Sequence, residues 1–255
     1  MQNSFSIFIS LLKREFLEHK NLWRVPLVLL MIVILLKLSF SFGNLAIEYD
    51  LPEIEPLDET IDSVIDSAVF RTLSVVNYFV MIVMFLVAIF YALSCLYEER
   101  RDDSVLFWRS LPVSDGLTIL SKLFVPLVLI PVIILLCQAI NAVVFMGVNA
   151  SEYLSFYLGF VVELMKKIAW TLLPVISWCM FCSAIAKRNP FLFAIITPVL
   201  FVLVDFLFLN GVVSESVVIN RFSAANQFSI LALVTGLIFS SFCIAVTLFK
   251  RAQKV

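Results

Sequence analysis

Histidine is nearly absent from this chain: His19 is the single copy in 255 residues, and there are only six glycines. These shortages exclude the common catalytic frameworks. No His-Glu-x-x-His pair, Gly-x-Ser-x-Gly turn or Gly-x-x-x-x-Gly-Lys phosphate loop can be traced in the sequence. The chain is therefore expected not to be an enzyme, and not to hydrolyse a nucleotide by the phosphate-loop route. Charged residues are also scarce, at 15%, and 18 Lys and Arg nearly balance 19 Asp and Glu. No nucleic-acid partner is expected. The five cysteines, Cys95, Cys137, Cys179, Cys182 and Cys243, all fall in apolar segments, where a free thiol packs as a small hydrophobe. Cys179 and Cys182 share a helix face, but two thiols without a second pair make a poor metal site, and there is no disulfide framework. No metal or cofactor is expected on this chain.

Apolar residues are what it has in quantity. They make up 62% of the chain, with 25 Phe and a mean hydropathy of +1.05, more than one soluble core can bury. A membrane span needs about 20 mostly apolar residues, and six segments qualify: 23–42, 74–97, 123–148, 168–186, 190–209 and 227–249. They are continuous runs without the alternation of a barrel strand, so the expected fold is an all-α integral membrane protein, a single domain over 1–255.

Orientation follows from the Lys and Arg between the spans. Thirteen lie in the N-terminal segment, the 98–122 loop, the Lys187-Arg188 turn and the tail, so both termini are expected in the cytoplasm. Arg71, Lys166, Lys167 and Arg221 fall outside, where the 43–73 loop carries eight carboxylates, Glu48 through Asp66. That acidic face is read as solvated, with cation attraction as the alternative.

Residues 1–22 lack the uninterrupted apolar core of a secretory signal. Phe5, Phe8, Ile9, Leu12 and Phe16 recur at helical spacing, which predicts an amphipathic helix lying along the inner leaflet, as a plain anchor or as a partner-binding element. A second outer helix is expected after Asp58, from the period of Ile61, Val64, Ile65, Ala68 and Val69. Residues 153–165 are apolar but too few to cross. They fit either an outer-surface helix or the upper part of one long helix from 151 to 186.

Inside the spans, Lys37 and Asp205 have opposite sign and similar estimated depth. This suggests an intramembrane ion pair, against the alternative that each reaches a headgroup region or that Asp205 is protonated. Asn77, Gln138 and Asn141 fit interhelical hydrogen bonding or a polar pathway. Pro126, Pro131, Pro174 and Pro198 should kink their helices.

The 96–122 run, LYEERRDDSVLFWRSLPVSDGLTILSK, carries the most specific signal. Val105, Leu106, Phe107, Trp108 and Leu111 are too apolar for a free loop and too few to span, which suggests a docking surface or, for the aromatics, membrane anchoring. The run resembles the cytoplasmic loop of the type-two class of ABC transporter permeases. The matching pieces are Glu98-Glu99-Arg100-Arg101, the short helix Val105 to Leu111, the turn Pro112-Val113-Ser114, and Lys122 opening the third span; Asp103-Ser104 stands where that family usually shows Gly-Thr.

The resemblance implies a permease subunit, homodimeric or heterodimeric, in a bacterial cytoplasmic membrane. ATP and magnesium would be bound by a separate cytoplasmic ABC ATPase, and transport would run outward. It makes Glu98, Glu99, Arg100, Arg101, Val105, Phe107, Trp108, Arg109, Leu111, Pro112, Val113 and Ser114 the ATPase-coupling residues. A non-transporting scaffold or sensor that recruits a cytoplasmic protein through the same loop is the competing expectation.

Overall fold

The computed structural model describes residues 4–43, 58–102, 114–146, 150–186, 188–211 and 230–253. Among these the regular structure is entirely helical. α1 (Ser4–Glu18) is separated by only His19 and Lys20 from α2 (Asn21–Gly43). Next come α3 (Asp58–Arg101), α4 (Asp115–Phe124), α5 (Ile130–Met146), α6 (Ala150–Lys167), α7 (Leu173–Ile185), α8 (Pro190–Leu209) and α9 (Ile230–Gln253). Six stretches are long and apolar enough to cross a membrane: Asn21–Ser39, Arg71–Arg101, Asp115–Phe145, Tyr157–Ile185, Pro190–Phe208 and Leu233–Arg251. Each overlaps one span expected from hydropathy.

Two outer segments merge with spans. The helix expected after Asp58 is the upper part of α3, whose 44 residues reach about 66 Å at 1.5 Å each, well beyond one bilayer core. The 151–167 segment likewise forms the long-helix alternative, since α6 passes into α7 through the π-helical turn Ile168–Leu172.

A second π-helical turn, Val125–Leu129, joins α4 to α5, and the two share one construction. In each, a backbone N–H reaches five residues back, Ile130 to Val125 and Leu173 to Ile168, and the next residue is proline, Pro131 or Pro174. Proline lacks an N–H and its ring crowds the carbonyl four residues earlier. Widening the preceding turn moves that carbonyl aside, so the helix continues. Pro26 and Pro198 lie inside α2 and α8.

The bundle packs around α3 and α7. These helices approach along small side chains, with Ala88 and Ala92 on α3 and Ser177 and Ser183 on α7 all fully buried, as expected where helices associate in lipid. Ser183 Oγ accepts the Tyr97 backbone N–H at 3.0 Å. α9 lies along α7. α8 is the most peripheral, with only 11% of its span buried, and its apolar side chains form a lipid-type surface. It ends on Asn210 in the left-handed region (φ 53°) and Gly211 (φ 79°), whose N–H returns to the Asp205 carbonyl at 3.2 Å.

α1 packs against the bundle along one side. Phe5 and Ile9 point outward, while Leu11 and Glu15 are the residues buried against the bundle, flanked by half-buried Phe8, Leu12 and Phe16. Phe8 meets Phe124 edge-on at 5.5 Å. Burial of a glutamate on this helix is the first sign of the site.

Candidate functional site

Glu15 cannot be buried without partners, because a lone carboxylate in a low-dielectric interior is strongly disfavoured. Lys122, on α4 and equally buried, supplies the principal one: Nζ lies 2.8 Å from Glu15 Oε1 and 3.1 Å from Glu99 Oε1 on α3, and donates to the Cys95 carbonyl at 3.3 Å. Tyr91 donates its hydroxyl to Glu15 Oε2 at 2.8 Å, and His19 packs edge-on to the Tyr91 ring at 4.7 Å, with Nε2 3.7 Å from the same carboxylate oxygen.

Glu99 is the hub. Besides Lys122 it receives Arg14 from α1 at 2.7 Å and Arg251 from the end of α9 at 3.0 Å. Arg251 also binds Asp115, in the first turn of α4, at 2.9 Å, and Arg14 binds Glu18 at 3.0 Å. Three carboxylates (Glu15, Glu99, Asp115) thus face three cations (Arg14, Lys122, Arg251), joining four helices in one network. Such multiple pairing is what allows buried charges to persist.

Titration of the flanking α1 groups follows from this setting. Burial alone would lower the Arg14 pKa, but Glu15, Glu99 and Glu18 outweigh it and raise the pKa above its usual value. For His19 burial dominates and, with help from Lys122, lowers the pKa below 6.5 despite Glu15.

The residues around the network fix the helix ends that flank residues 103–113. On the α3 side, Arg100 Nη2 donates to the Ser183 carbonyl and, at 3.0 Å, to the Ala186 carbonyl, capping the C-terminal end of α7. Tyr97 donates its hydroxyl to the Arg188 carbonyl in the turn before α8. On the α4 side, Ser114 is the N-cap, its Oγ accepting the Leu117 N–H at 3.3 Å. A pocket of about 30 Å³ lies beside the network, lined by Leu96, Glu99, Arg100, Ala184, Thr247, Lys250 and Arg251. It has room for about two waters and is too small for a sizeable substrate.

Of the expected coupling residues, Glu99, Arg100 and Ser114 are part of this bracing. Glu98 and Arg101 face outward, Arg101 pairing with exposed Asp102 at 3.1 Å. Val105, Phe107, Trp108, Arg109, Leu111, Pro112 and Val113 lie outside the described residues. Lys37 Nζ donates to the Phe145 carbonyl at 2.8 Å and sits 5.2 Å from that ring's centroid, while Asp205 is buried on α8.

Sequence reasoning missed Glu15, Arg14, Tyr91, Asp115 and Arg251. The available signal was positional: Glu15 falls between Leu12 and Phe16, on the packed side of α1, where a charge requires a counter-charge. Among the described residues there is no His, Cys, Asp and Glu grouping able to hold a metal ion. Comparison with protein-family models, with curated proteins and with solved structures returned no match.

Proposed function

We propose that this chain is the membrane-spanning permease subunit of an ATP-driven ABC transporter, an exporter in a bacterial cytoplasmic membrane. It works as a homodimer or heterodimer and couples to a separate cytoplasmic ATPase through the 98–122 loop. One observation carries the reading: both roots of that loop join α1 and the end of α9 in the same buried ion network. A displacement at the loop is therefore passed to α1, α3, α4 and α9 together, because Lys122 and Glu99 cannot move away without weakening the pairing of buried charges on the other helices. The loop's Trp108 and Arg109 are of the residue types that dominate docking interfaces.

Trp108→Glu and Leu111→Glu are expected to release the ATPase while the permease stays in the membrane. Copurification in mild detergent and vanadate-sensitive ATP hydrolysis measure this. Retained partner and retained transport in both variants would overturn the coupling assignment. A cytoplasmic partner without ATPase activity would establish the scaffold or sensor instead.

A further inference from the structure

Away from the ion network, the buried side chains described at the Leu73–Val80 stretch of α3 and the Ile134–Ala142 stretch of α5 are apolar except in one layer. Asn77 on α3 and Gln138 and Asn141 on α5 are 2%, 0% and 0% exposed. They separate the main core, which includes Val80, Ile134 and Cys137, from a small outer cluster of Leu73 and Ala142 packed by Phe145 and Tyr157. Along both helices the buried stripe thus runs apolar, polar, apolar. Gln138 and Asn141 are three residues apart, so their side chains share a face within one turn.

One hydrogen bond is made inside this layer, from Asn141 Nδ2 to Asn77 Oδ1 at 3.2 Å. Gln138 Nε2, Gln138 Oε1 and Asn141 Oδ1 are all buried and have no hydrogen-bond partner among the described residues. Unmatched amides inside a membrane bundle are strongly disfavoured. A buried water characteristically makes about three hydrogen bonds, the number of atoms presented here.

We propose that Asn77, Gln138 and Asn141 form a binding site inside the bundle for one small neutral group that both donates and accepts hydrogen bonds. All three side chains are uncharged amides offering mixed donors and acceptors, which selects a neutral guest. The group is supplied by a water molecule or by the polar end of a transported molecule. The second source rests on the transport reading, and the first does not.

The test uses the full-length chain in lipid nanodiscs with 15N-labelled glutamine. The Gln138 side-chain signal is identified by its loss in Gln138→Met, or in Gln138→Glu if that variant does not fold. With no ligand added, magnetisation transfer from water to the Gln138 amide protons is expected, and it identifies water as the guest. Absence of transfer, together with a molecule extracted from the native protein and missing from the Gln138 variant, identifies the transported molecule. Absence of both overturns the site. Capture of the ATPase, measured on the same samples, is expected to be unchanged, so a failure here is distinguishable from failure of the transporter reading.

Discussion

Lys122 shows how a single side chain holds one end of the bundle. Its ammonium lies between Glu15 and Glu99 at 2.8 and 3.1 Å, with 1% of the side chain exposed. Lys122→Met leaves two buried carboxylates facing each other and is expected to destabilise the protein by about 3–5 kcal/mol. Thermal unfolding in detergent reads this, and Glu15→Gln in the same chain should recover part of the loss. His19 adds a pH dependence of known sign. Its folded-state pKa lies below its unfolded 6.5, so the neutral form is favoured on folding. That contribution is complete above pH 6.5 and is lost as pH falls from there through the lowered folded value. Accessibility of α1 to protease should rise over this acid range, and His19→Gln should flatten the response.

At the scale of elements, α4 depends on its first turn. Ser114 caps it and Asp115 ties it to Arg251 at the end of α9. Ser114→Ala is expected to cost about 1 kcal/mol. Because the cap lies at the loop root, the effect should appear as faster amide exchange in Asp115 to Thr118 before any global unfolding. The π-helical turns before Pro131 and Pro174 show a limit of the sequence reading. The prolines marked where α5 and α7 had to deviate, but hydropathy cannot tell a kink from a widened turn, since both keep the same residues in the same order. α1 shows the opposite difficulty. Its helix was legible from apolar spacing, yet the face it buries was set by the pairing of Glu15 with Lys122, 107 residues away.

For the whole molecule, the ion network places the N-terminal helix, the helix ends on either side of residues 103–113 and the end of α9 at one end of the bundle. Both termini are therefore expected on the same side of the membrane as residue 188, with the 44–57 segment opposite. Reporter fusions at both ends, with thiol labelling of introduced cysteines at 50 and 188, check this; opposite-side termini would break the six-span arrangement. The positions of Lys and Arg give the side an expected identity, the cytoplasm.

Six stretches long and apolar enough to span a membrane, and the helical class, were determined by the sequence alone, because hydrophobic length and composition are local properties that need no partner. Which charges meet was decided only by the tertiary structure. Glu15, Glu99, Lys122 and Arg251, scattered over more than 230 residues, converge on one site. The physical reason is that a buried charge is stable only beside its counter-charge, and the distance between two charges is a property of the packed helices rather than of the order of residues along the chain.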